Sequence, residues 1–141
     1  MRYLEMVRYV ERVIADGRDT EGVERAIVVT LEALSRCLPH DEAAALASQL
    51  PVELQSPLAE APTQPQRMSV EEFLRHVADR ENVSPSEALH HCRAVFDGLA
   101  EAVTGHELRR VREHLPAEFD TLFAPPAASR WPQTHRRRPH P

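Results

Sequence analysis

One pattern is written twice along this chain, and that constrains its fold more than any other feature. Met-Val-Arg-Tyr-Val at 6–10 is matched by Phe-Leu-Arg-His-Val at 73–77, an offset of 67 positions. Leu31, Leu34, Leu46, Leu50 and Pro51 are matched by Phe96, Leu99, Val111, Leu115 and Pro116, an offset of 65. The two-residue change falls in the turn after the first helix, where an insertion disturbs least. Whatever supersecondary unit one half forms, the other is expected to form as well.

The spacing within each half predicts helices. Val23, Ile27, Leu31, Leu34 and Leu38 recur every three or four positions, as do Leu89, Cys92, Phe96, Leu99 and Val103. No stretch between turn signals alternates with period two, so no sheet is expected. The chain reads as an all-α bundle of two pseudo-repeated halves, each with three helices and a short fourth. In the first half the helices are expected over 3–16, 20–37, 41–50 and 51–58. In the second they are expected over 70–82, 85–103, 105–115 and 116–123. Gly17 reads as a helix stop. Pro51 and Pro116 open the short last helices, where a missing N–H costs nothing. Asp19 or Thr20, and Asp41, cap the first half. Ser69 with Glu72, Ser84 with Glu87 and Thr104 with Glu107 form three capping boxes in the second, each cap worth about 1 kcal/mol.

The long second and fifth helices are expected to pack on each other across a pseudo-twofold. Residues 1–123 then make one domain, with halves of about 1–58 and 68–123 and a proline-containing linker at 59–67. Residues 124–141, rich in proline and arginine, read as a disordered tail.

Composition narrows the function classes. An apolar share of 42% suffices for a core. All 17 basic residues are arginine, and the formal net charge is −5. The four arginines of 129–141 leave 13 to face 22 acids in the body, a net of −9 there. An acidic body with a basic tip is not built to coat nucleic acid. No apolar run approaches the roughly 18 residues of a membrane span. Charges stand where a signal peptide would be apolar, so the cytoplasm is expected. Cys37 and Cys92, placed on predicted helices, then read as reduced core thiols.

Candidate chemistry is sparse. His90-His91-Cys92 is the densest cluster of metal-capable side chains. With Cys92 on the core stripe, the two histidines point about 100° and 200° away round the helix. They read as surface imidazoles beside a buried thiol. His106-Glu107 and Glu113-His114 each miss a zinc-protease pattern because Arg110 stands where a histidine is required. Glycine loops for phosphate and nucleophile elbows are absent. No cofactor, metal or catalytic residue is assigned. Arg8 and Arg75 hold matching positions in the two halves and are candidates for partner contact, as are Leu58, Leu122 and Phe123. In the tail, Arg130, Trp131, Arg136, Arg137 and Arg138 are candidates for nucleic-acid contact. Four such arginines would give a salt slope of at most about −3.6.

The repeat, together with Ser48-Gln-Leu-Pro51 and Leu115-Pro-Ala-Glu-Phe-Asp-Thr-Leu-Phe123, resembles a bacterial family known as domain of unknown function 2267. The resemblance spans about 3–123. It implies a small soluble bacterial protein of two helical halves, each closing on a Leu-Pro step, and it brings no known activity. The reading that follows is a non-catalytic module for protein–protein interaction or self-association. The alternatives are a nucleic-acid accessory acting through the tail, and a metal or small-ligand binder using His90, His91, Cys92, His106 or His114.

Overall fold

The computed structural model describes residues 1–59 and 61–123. The chain is all-α, and among the described residues there is no strand. Helix α1 spans Tyr3–Ile14, α2 Thr20–Ser35 and α3 His40–Ser48. Two 3-10 turns follow, Val52–Leu54 and Ser56–Leu58, where a short fourth helix was expected. Then come α4 at Val70–Glu81, α5 at Pro85–Ala102 and α6 at Gly105–Glu113. The described chain closes with a 3-10 turn at Ala117–Phe119 and α7 at Asp120–Phe123.

The helix starts follow local chemistry. Ser69 accepts from the Glu72 amide and Ser84 from the Glu87 amide, and both glutamates reach back to the cap N–H. Asp19 accepts from the Gly22 amide and starts α2. Glu5 accepts from the Arg2 amide at the start of α1. Asp41 caps nothing: α3 begins after Pro39, which has no side chain to offer and no N–H to satisfy. The helix ends fall short of the periodic pattern. The left-handed Ala15 closes α1 before Gly17, and α2 stops at Ser35, so Cys37 lies in the turn that follows.

One apolar cluster runs through the described residues from Met6 to Leu122. Helix α5 lies inside it, packed most extensively on α4 and α1, with α2 and α7 also against it. The α2–α5 contact is present, but it is only one side of this enclosure. Gly98 lets α1 come close: a Cβ there would meet Val10 Cγ2 at 2.9 Å. Phe73 is edge-on to Phe119, with ring centres 5.3 Å apart, and it lies beside Phe96. The 59–67 connection is tied down where it is described. Ala61 is buried, and the Gln66 amide donates to the Arg36 carbonyl at 2.8 Å. The tail from 124 onward lies outside the described residues, as do its candidates Arg130, Trp131, Arg136, Arg137 and Arg138.

Candidate functional site

Two polar clusters are assembled where helix ends meet α5 and α6. The first centres on His91. Helix α1 ends two residues before Asp16, and α4 ends on Glu81. Acids at these C-terminal positions oppose the helix dipole and need a local cation. His91 supplies it. Its Nδ1 is 2.8 Å from Glu81 Oε1 and its Nε2 is 2.9 Å from Asp16 Oδ2, with no exposure of the ring. Since a carboxylate can only accept, both ring nitrogens donate and the ring is an imidazolium. Burial pushes the His91 pKa down, but the hydrogen bonds to Glu81 and Asp16 outweigh it and hold the value above the ordinary one. Asp16 is raised by burial, then brought below its ordinary value by His91 and by the Arg18 amide and guanidinium. Next door, His90 Nε2 donates to the Ile14 carbonyl at 2.6 Å, satisfying one of the last orphan carbonyls of α1.

This corrects the expectation that both histidines sit on the surface. A helical position 100° from the core stripe is solvated only when the helix has an open side, and α5 is covered on several. The thiol beside them is as expected. Cys92 is fully buried, 3.8 Å from the Thr30 hydroxyl, and burial pushes it up to about 12. Burial likewise raises Cys37 to about 11. Neither thiol is a thiolate near neutral pH, so neither is a ready nucleophile or metal ligand.

The second cluster joins α3 to α6. Glu42 and Glu107 each lie in the first turn of their helix, 65 positions apart, and both are buried. Thr104 accepts from the Glu107 amide, as expected of a capping box. The return bond is not made. The Thr104 N–H is instead taken by Gln49 Oε1, at 2.8 Å, from the end of α3. Glu107 is thereby released, and its carboxyl comes under the influence of Glu42 across the α3–α6 contact. Arg110 holds Glu42 Oε1 through Nε at 3.3 Å and a terminal nitrogen at 3.2 Å, and His114 Nε2 is 3.6 Å away. Burial and then Glu42 push Glu107 up to about 7. Burial raises Glu42 too, but Glu107, Arg110 and His114 bring it below its ordinary value. His106 is exposed and takes no part.

The other candidates fall apart. Leu58 and Leu122 are buried in the core, so neither is available to a partner as expected: a 3-10 turn and α7 fold both inward. Phe123 is half-buried, stacked on Phe96 at 4.6 Å under the Arg112 guanidinium. Arg8 and Arg75 are exposed, Arg75 3.9 Å from Glu71 on its own helix. A half-open cleft of about 630 Å³ lies between α2, α4 and the 59–67 connection. Both signs of charge line it (Arg36 and Arg80, Glu32 and Glu53), and Arg80 already pairs with Glu32 at 3.4 Å.

Residues 3–122 match the model of a family described as an uncharacterized conserved protein, DUF2267. The chain belongs to that family. The match covers every described helix except the last residue of α7, so both polar clusters lie inside the DUF2267 region. No curated protein matches the chain.

Sequence reasoning missed Asp16, Glu81 and Glu42 as partners in these clusters. Asp16 and Glu81 did carry a signal, each being an acid at the wrong end of a helix. Glu42 carried none, since an acid in a first turn is where the dipole favours it. Among the described residues no group of three or more His, Cys, Asp or Glu side chains is placed to hold a metal ion. His91, donating from both nitrogens, keeps no lone pair for one.

Proposed function

We propose that this DUF2267 protein is a non-catalytic helical module for protein–protein interaction or self-association. The observation that supports the reading is how its reactive groups are used. Both thiols are buried and protonated, and His91, Glu42 and Glu107 are engaged in contacts between helices. Large apolar side chains remain outside: Met1, Leu4 and Val52 are 46%, 58% and 74% exposed. Helix α1 packs against the 3-10 turn at Val52–Leu54, and Glu53 of that turn acts on Tyr3 at the start of α1. Arg8 and Arg75 supply exposed charge on α1 and α4.

We also read the two runs of elements as a duplicated unit, and two free buried cysteines fit the bacterial cytoplasm. No described helix is long and apolar enough to cross a membrane.

Sedimentation velocity over a wide concentration range tests the reading with a second copy as the partner. The native chain is expected to show a rising sedimentation coefficient, lost in the Leu4→Glu/Val52→Glu double variant with its melting temperature unchanged. A strict monomer at every concentration, indifferent to both substitutions, overturns self-association.

A further inference from the structure

The geometry points to a proton-operated catch between α3 and α6: Glu42 and Glu107 close the seam while they share one proton, and the seam loosens when that proton leaves. The first support is placement. Each carboxyl is in the first turn of its own helix and turns away from its own cap. Pro39 has no N–H for Glu42 to bind, and Gln49 occupies the N–H that Glu107 would otherwise bind. The second is isolation. Glu42 and Glu107 are 3% and 4% exposed, and the Oε2 atom of each is buried with no N–H or other protein donor bonded to it. A proton between the two carboxyls is the donor that satisfies them, because two carboxylate anions in contact can only repel.

The charges acting on the pair come from α6 and the residue after it. Arg110 and His114 both approach Glu42, and Arg110 also acts on Glu107. Helix α5 and the 3-10 turn at Ser56–Leu58 pack against α6 and α3 respectively. The guanidinium keeps Glu42 as the anion, so the shared proton sits on Glu107. With its folded value raised to about 7, Glu107 contributes stability that is whole below the ordinary carboxyl range. That contribution is lost as pH rises through about 7. Glu42 is lowered, so its contribution is present above the ordinary range and lost as pH falls. The seam is therefore tightest in mildly acidic solution. Two further bonds cross it and keep the helices in register when the proton leaves: Arg110 to Glu42, and Thr104 to Gln49.

Native-state hydrogen exchange resolved by peptide tests this, after correction for the intrinsic pH dependence of exchange. Between about pH 5.5 and about pH 8, protection of the α3 and α6 amides is expected to fall about thirtyfold in the full chain. Glu107→Gln, whose amide donates permanently to Glu42, is expected to hold its protection across that range. Carbon NMR titration of the Glu107 carboxyl in the native chain needs no variant and should show a midpoint near 7. An ordinary glutamate midpoint, or an equal loss of protection in native chain and Glu107→Gln, overturns the catch.

Discussion

The run from Tyr3 to Leu58 and the run from Val70 to Phe123 each set three α-helices before short helical turns, the second ending in α7, and they do so by different local means. In the second, a serine or threonine accepts from the first turn of each of the three main helices. In the first, only at α2 does the cap side chain, Asp19, accept from a first-turn amide, while at α1 Glu5 reaches back to the Arg2 N–H. Phenylalanine fills the second run (Phe73, Phe96, Phe119), whereas its matched positions hold Met6, Leu31 and Leu54. The contrast shows that a shared apolar pattern suffices for the architecture and leaves caps and core residues free to vary. It also shows where variation acquires a consequence. At the start of the third helix, proline in one run, and in the other a threonine whose N–H is taken by Gln49, each leave a glutamate free, and the two glutamates meet.

The sharpest way to break the comparison is to remove what joins the runs. His91 on α5 binds Asp16 from the first run and Glu81 from the second. His91→Ala leaves both acids without their cation, and urea unfolding at neutral pH should show a loss of about 3–5 kcal/mol. The folded value of His91 lies above the ordinary one, so its contribution is whole below the ordinary value and lost as pH rises through the folded one. The alkaline decline in native stability should therefore be shallower in His91→Ala, and the slope that remains around neutral pH belongs to Glu107, with Cys37 and Cys92, both raised, adding theirs at higher pH. A loss below about 1 kcal/mol would show the triad to be ordinary surface pairing.

A smaller effect is expected at Gly98, matched in the first run by Ala33, which is fully buried. Gly98→Ala puts a methyl 2.9 Å from Val10, and the melting temperature should fall by the equivalent of about 1–3 kcal/mol. Substituting Ala33→Gly should cost less, about 1 kcal/mol from helix propensity and lost packing. Equal costs would mean that α1 has room to move.

The smallest effect concerns caps. Ser84→Ala should lower stability by about 1 kcal/mol, as should Asp19→Ala. Thr104→Ala should cost about the same, because it orphans the Glu107 amide just as Ser84→Ala orphans the Glu87 amide, while each cap N–H keeps its own acceptor. Chemical denaturation orders the three. A negligible cost at Thr104 would show that the Glu107 amide does not depend on that hydroxyl.

The six longer helices were legible, because period and caps act over a few residues, whereas the short fourth helix expected in each half is largely 3-10 turn. Cys37 and Cys92 were legible as core thiols for the same reason. Boundaries were legible only to within a turn: α2 stops at Ser35, although Leu38 continues its stripe into the core. The two polar clusters were not. His91 looks solvated until four other helices are laid round α5, and Glu107 looks like half of a capping box until Gln49 arrives from α3.

The amino-acid pattern by itself determined the all-helical class, the order of the elements and the apolar stripe of each long helix, since these depend on backbone geometry and near-neighbour spacing. Tertiary structure alone decided which charges meet. His91 finds Asp16 from 75 positions away; Glu42 finds Glu107 from 65, the offset of the repeat, yet matching two positions does not say that they meet. In a closed core a polar atom must find its partner wherever the packing puts one, because water is no longer there to serve.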